Sequence, residues 1–192
     1  MLITRLKLKN WRNFRQVDVP LGARTHLIGP NASGKSNFLE VFRFLRTLAQ
    51  ADGGGLQRAV RDLHGLTKLR SLHARIDPQV RVELEVAEDP TPEAPQWRYV
   101  LALGSEGKGQ QRVVVKEERV ELNGKVLIQR PDAKDRSDPE RLTQTALEQI
   151  NSNHAFRLLA EFYGETTYLH LVPQLLRYGT EPGAKVLEND PF

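Results

Sequence analysis

The chain has 192 residues and no cysteine, with 28 Lys and Arg against 24 Asp and Glu, a formal net charge of +4 and a pI near 9.5. That length can bury a core without staples, and the missing cysteines exclude a disulfide framework and any thiolate metal site, in keeping with a reducing cytoplasm. No stretch approaches the roughly 20 apolar residues of a membrane helix, and the mild positive charge suits a nucleic-acid partner while being common on solvated surfaces.

From the N-terminus, Leu2, Thr4, Leu6 and Leu8 alternate with Ile3, Arg5, Lys7 and Lys9, which is the period of a strand and not the apolar block of a signal peptide. Asn10-Trp11-Arg12-Asn13-Phe14-Arg15 follows, then a second short strand from Val17 to Leu21. Arg24 to Ile28 reads as a third strand, running into Gly29-Pro30-Asn31-Ala32-Ser33-Gly34-Lys35-Ser36. This octapeptide meets every fixed position of the P-loop, G-x-x-x-x-G-K-[ST]. Successive backbone N–H groups must curl round a phosphate, and a side chain at Gly29 or Gly34 would block the approach. Lys35 then places its ammonium between the β- and γ-phosphates, Ser36 offers its hydroxyl to Mg²⁺, and the following helix points its positive end at the anion. Lys35 to about Gln50 reads as that helix, with Phe38, Leu39, Val41, Phe42, Phe44, Leu45 and Leu48 spread over more than one face. ATP is the nucleotide this pattern implies, with Mg²⁺ beside it.

The succession of strand, Asn-aromatic-Arg, strand and G-x-N-x-x-G-K-S-N resembles the N-terminal lobe of the ABC-type ATPase heads of RecF, SMC and OLD-type (overcoming lysogenization defect) ATPases, specifically over residues 1–50. The resemblance implies that Arg12 lies near the nucleotide phosphates with Asn13 beside it, and that Asn31, Ala32, Ser33 and Asn37 line the nucleotide together with the fixed P-loop residues. Many members carry Gly where this chain has Ala32, so the local loop conformation is the point of departure.

Ala51 to Gln57 contains Gly53-Gly54-Gly55 and reads as a flexible loop; it is too early in the chain to be the Gly-Gly-Gln signature of ABC ATPases. Residues 56–75 carry Arg58, Arg61, His64, Lys68, Arg70, His73 and Arg75 among leucines, with Gly65 interrupting any helix, and form the candidate phosphate-backbone contact surface. The five histidines show no metal-ligand spacing with carboxylates. From Gln79 to Ile128 the pattern is extended, in runs 80–86, 97–103, 112–115, 119–122 and 126–128, with Asn123-Gly124 as a hairpin turn; an antiparallel meander over 76–130 is predicted. Arg130 to Pro139 reads as an exposed charged loop, Asp138-Pro139-Glu140 as the start of a helix reaching Ile150, and a second helix as carrying Ala155, Leu158, Leu159 and Phe162 to a stop at Gly164.

Thr167 to Gln174, over the tail segment 165–192, is a β-rich run ending in Val-Pro-Gln that resembles the Q-loop of ABC ATPases. That likeness implies that Gln174 reaches Mg²⁺ and the attacking water, a role an amide can fill because its oxygen ligates a hard cation and its N–H₂ orients water. No apolar run followed by Asp-Glu, the Walker B pattern, occurs in the sequence. The expectation is therefore an α/β P-loop NTPase resembling an ABC ATPase N-terminal lobe, one unit over 1–192 with an antiparallel β-subdomain and a helical segment at 139–164. Lys35 and Gln174 are its catalytic candidates, and Ser36 and Gln174 its metal ligands. By the same resemblance a C-terminal lobe, in the same longer chain or a separate polypeptide, supplies the missing carboxylates; two heads sandwich ATP, and the partner is DNA and not a membrane. Alone, the chain is expected to bind Mg-ATP and hydrolyse it poorly. The alternative function is a nucleotide-gated protein-interaction module that does not hydrolyse; a transporter ATPase is disfavoured by the long spacing to Gln174 and the large meander.

Overall fold

The computed structural model describes residues 1–50, 52–72, 74, 78–88, 96–107 and 112–169. Leu2–Trp11 (β1) and Phe14–Pro20 (β2) form a hairpin that belongs to the same sheet as the meander Val80–Ala87 (β3), Trp97–Glu106 (β4), Arg112–Leu122 (β5) and Lys125–Arg130 (β6). The order is β2-β1-β3-β4-β5-β6, antiparallel throughout. The two runs expected within 112–122 are one strand that bulges at Lys116, opposite Ala102/Leu103; the second register shift, opposite Val120/Glu121, puts the extra residue, Leu127, on β6. Asn123 and Gly124 take the positive φ values of 50 and 77° that a two-residue hairpin turn requires.

The two-residue period of the strands separates the sheet into unlike faces. Leu6, Leu8, Val82, Leu84, Tyr99, Leu101 and Val120 are buried and pack under Lys35–Ala49 (α1), Leu56–Asp62 (α2) and Arg157–Gly164 (α5) in one apolar cluster. On α1 the buried positions Phe38, Val41, Phe44, Leu45 and Leu48 recur at helical spacing, so one stripe of the helix meets the sheet. The opposite sheet face is a ladder of cross-strand ion pairs: Arg5 with Asp18 at 2.7 Å, Lys7 with Glu83 at 2.9 Å, Arg98 with Glu83 at 2.8 Å, and Arg81 with Glu117. Every cation named there already faces a carboxylate.

Four expectations from sequence are corrected. Arg24 to Ile28 forms no strand: the segment is exposed, with Ile28 95 % accessible, and none of the six strands of the sheet pairs with it. A strand exists only when its backbone groups are paired, and this one has no pairing neighbour among the described residues. The glycine run is no loose loop. Gly55 N–H donates to Thr47 at 2.8 Å, and a Cβ on Gly54 would lie 2.4 Å from the carbonyls of both Thr47 and Gln50, so the run is pressed against the end of α1 before α2 opens at Leu56.

Residues 130–139 are likewise built, not loose. Ala133–Ser137 (α4) begins in a reciprocal Asp132–Asp135 capping box, and Arg130 is 3 % exposed between Glu118 and Asp135, at 3.1 and 2.9 Å. Beyond it, the helix expected from Pro139 to Ile150 is only a 3-10 turn, Pro139–Thr143, followed by turns. Side chains take the amides a helix would need: Ala146 and Leu147 N–H donate to Glu118, and Thr145 N–H donates to Glu148. The second expected helix is present as α5, preceded by a 3-10 turn at His154–Phe156.

Burial pushes the Glu118 carboxyl up, although Ala146 N–H and Arg130 oppose it. Burial acts the same way on Asp135, but hydrogen bonds from Arg130, the Asp132 N–H and Arg141 outweigh it and hold that carboxyl well below the usual range. Asp135 therefore stabilises the fold above its unfolded pKa of about 4 and loses that contribution as pH falls below it. Acid titration of the unfolding free energy should show this limb, flattened in Asp135→Asn. Arg130→Met, which strands two buried carboxylates, should cost about 3–5 kcal/mol in urea unfolding at neutral pH.

Candidate functional site

The site begins at a hairpin tip. Asn10 and Arg12 both adopt the left-handed region, at φ 56 and 51°, and between them the chain turns Trp11 inward. Trp11 is fully buried, its ring meets Phe44 of α1 edge-on at 5.4 Å, and its indole N–H donates to the Asn37 carbonyl at 2.8 Å. That contact fixes the first turn of α1 against the sheet. Next to it, Asn13 accepts from the Asn37 amide at 2.8 Å.

The P-loop occupies the space this leaves. Gly34 takes φ 99° and leads into α1 at Lys35. A Cβ on Gly34 would lie 2.5 Å from the Asn13 side-chain nitrogen and 3.0 Å from the Phe14 ring, so only glycine lets the hairpin tip close on the helix start. At the other end of the loop, a Cβ on Gly29 would fall 2.9 Å from Ser33 Oγ. Lys35 Nζ donates to the carbonyls of Gly29 and Pro30, both at 2.7 Å, so the ammonium lies across the mouth of its own loop. Asn31, Ala32, Ser33 and Ser36 are exposed there. Ala32 stands at φ 61°, a conformation glycine adopts freely and alanine does not.

Arg12 is placed beside α1 but engaged by protein groups: its Nε donates to Glu40 at 2.9 Å and its Nη1 to the Lys68 carbonyl at 3.3 Å. The tip is also tied by backbone to Leu66–Leu69 (α3), through Arg12 N–H to Leu69, Ser71 N–H to Asn10 and a bridge between Trp11 and Arg70. The structure thus joins the P-loop to the basic segment. In that segment Arg61, His64 and Lys68 are exposed, and Arg58 is shared between Asp62 at 3.6 Å and the Gly53 carbonyl at 2.7 Å. His73, Arg75 and Gln174 lie outside the described residues.

Beside the P-loop runs an open apolar cleft of about 460 Å³, lined by Phe14, Val17, Val19, Leu27, Ile28 and Lys35. A second, of about 390 Å³, continues from Leu27 along Leu39, Phe42 and Phe162. Sequence reasoning missed Trp11, Glu40 and the docking of the tip on α3, because each depends on which elements become neighbours. Among the described residues no group of three or more His, Asp or Glu could hold a metal ion, and no helix is long and apolar enough to cross a membrane.

Gly34→Ala should push Asn13 off the helix start and abolish nucleotide binding. Ala32→Gly should instead raise the unfolding free energy by about 0.5–1 kcal/mol, since the relief of a left-handed alanine exceeds the added freedom of the unfolded chain. Urea unfolding and nucleotide titration of the two variants test this pair.

The chain is similar to several known proteins. RecF, the DNA replication and repair protein, of Brucella abortus (strain 2308) is 35 % identical over 88 residues, which cover 44 % of this chain and 22 % of the relative. RecF of Trichodesmium erythraeum is 43 % identical over 63 residues, covering 32 % of this chain and 15 % of that protein. The matched stretch therefore spans about a fifth or less of these relatives. A solved structure described as "Structural biochemistry of ATP-driven dimerization and DNA stimulated activation of SMC ATPases" overlaps at TM-score 0.38 and 18 % identity, over 66 % of this chain and 72 % of that one. The family model described as "AAA domain, putative AbiEii toxin, Type IV TA system" matches residues 24–174, from before the P-loop to Gln174, and the chain belongs to that family of P-loop ATPases.

Proposed function

We propose that this chain is the Mg-ATP-binding N-terminal lobe of a cytoplasmic RecF/SMC/OLD-like ABC-type ATPase, and that it couples ATP-dependent head dimerisation to DNA repair, maintenance or defence. The observation that carries this reading is the P-loop itself: Gly34 at φ 99° opening α1, with the Lys35 ammonium lying across the loop at Gly29 and Pro30. A phosphate offers that ammonium a full anionic charge in place of two carbonyls, a stronger partner for a cation. Backbone N–H groups of the first turn of α1 add the helix dipole on the same side. Ser36 would ligate Mg²⁺, with Gln174 as a second ligand, and the ion when bound would neutralise charge on the β- and γ-phosphates. Arg12 and Asn13 are the further nucleotide neighbours.

The apolar cleft supports a partner lobe. Leu27 and Ile28 lie on an exposed segment without a pairing strand among the described residues, at the rim of both the cleft and the P-loop. A lobe that pairs with residues 24–28 would bury this surface and bring Walker B and signature residues to the nucleotide, so hydrolysis belongs to the assembled head. DNA contact falls to the α2–α3 side, because the cations of the outer sheet ladder are already matched with carboxylates while Arg61 and Lys68 are exposed.

Lys35→Ala should abolish Mg-ATP affinity in calorimetric titration while leaving the urea midpoint of the fold in place; unchanged affinity would remove the P-loop reading. Retention on duplex DNA should weaken as salt rises and be lost when Arg58, Arg61 and Lys68 become Ala. Persistent lack of retention, with ATP and at low salt, would favour the nucleotide-gated interaction module, for which the apolar cleft is the candidate surface.

A further inference from the structure

We propose that Glu40 is a positioning residue: it holds the Arg12 guanidinium on α1, away from the phosphates, and so sets how tightly nucleotide binds. This rests on the P-loop reading above but concerns a residue that the motif does not include. Glu40 follows Ser36 by four positions on α1, so the two lie on the same helix face one turn apart, about 6 Å along the axis. A carboxylate so close to a polyphosphate repels it. Arg12 neutralises that carboxylate at 2.9 Å, and the pair is only partly shielded, with side chains 15 and 28 % exposed.

Glu40 and a phosphate are therefore rival anions for one guanidinium. An arginine gains more from a multiply charged phosphate that it can grip with two N–H groups than from one carboxylate held through Nε alone. Arg12 Nη2 makes no bond to a described residue, so the guanidinium keeps a donor edge for a second anion while Nε is still on Glu40. The backbone beneath it is strained, with Asn10 and Arg12 both left-handed around buried Trp11, and such strain persists only where surrounding contacts hold it. Moving Arg12 from Glu40 to a phosphate also withdraws Nη1 from the Lys68 carbonyl, at the end of α3. Nucleotide occupancy is thereby felt in the segment that carries Arg61 and Lys68.

The test is a double-mutant cycle on Mg-ATP affinity, read by calorimetry in wild type, Arg12→Ala, Glu40→Gln and the double variant. Glu40→Gln should bind more tightly than wild type. Arg12→Ala should cost at least about threefold more affinity in the Glu40→Gln background than in the wild type, because only there is the guanidinium unclaimed. Charge alone is additive and would make the two costs equal. Equal costs, or no tightening in Glu40→Gln, overturn the proposal. Glu40→Ala removes the same carboxylate and serves if the glutamine variant fails to fold. A wild type that binds no ATP would overturn the P-loop reading and this inference with it; ATP binding that Lys35→Ala abolishes, with an additive cycle, overturns this inference alone.

Discussion

Trp11 is the hinge-pin of the structure. Its ring, fully buried, faces Phe44, and its N–H donates to the carbonyl of Asn37, so one side chain fastens the sheet to the first turns of the P-loop helix. A tryptophan buries roughly 150–250 Å² of surface, more than most neighbours in a core of this kind, and a buried indole N–H must find an acceptor. The acceptor chosen lies two residues beyond Lys35. Consequently the burial of Trp11, the close approach of Asn13 to Gly34 and the entry angle of α1 form one constraint: none can be set without the others. The left-handed residues on either side of Trp11 show what the backbone yields to satisfy it.

Electrostatics divide the molecule into settled and unsettled charge. On the outer sheet face, arginines and lysines lie opposite glutamates and an aspartate at cross-strand spacing, and behind β5 the Glu118–Arg130–Asp135 group is closed by backbone N–H donors. Around the P-loop the positive groups are held instead by replaceable partners: carbonyls for Lys35, and a single partly exposed carboxylate for Arg12. Rigid charge stabilises the scaffold, whereas exchangeable charge is what an anionic ligand can claim. The same division explains why the basic residues of α2 and α3, and not those of the sheet, form the candidate nucleic-acid surface.

The P-loop, its helix and most of the antiparallel strands were legible because each depends on local pattern: fixed glycines, helical spacing of Phe38, Val41, Leu45 and Leu48, and two-residue alternation from Val80 to Val86. What sequence misread depends on neighbours. Arg24 to Ile28 has strand composition but no pairing strand, and Ala146 and Leu147 have helical spacing but give their amides to Glu118 from a distant strand. Arg130 and Asp135 look like solvated charges until Glu118 is placed beside them. The candidate site was half legible in the same sense: the P-loop is written in consecutive residues and Asn13 was expected beside it by resemblance, whereas the burial of Trp11 and the pairing of Glu40 with Arg12 arise only through the fold.

Hydrogen–deuterium exchange of the chain with and without Mg-ATP tests the central claim most directly. If the hairpin tip and the P-loop form one nucleotide site, protection should appear together in peptides covering 10–14 and 29–37, and fail to appear in either for Lys35→Ala. Protection confined to the P-loop peptide would contradict the claim that the tip belongs to the site, and protection in neither would contradict the site itself.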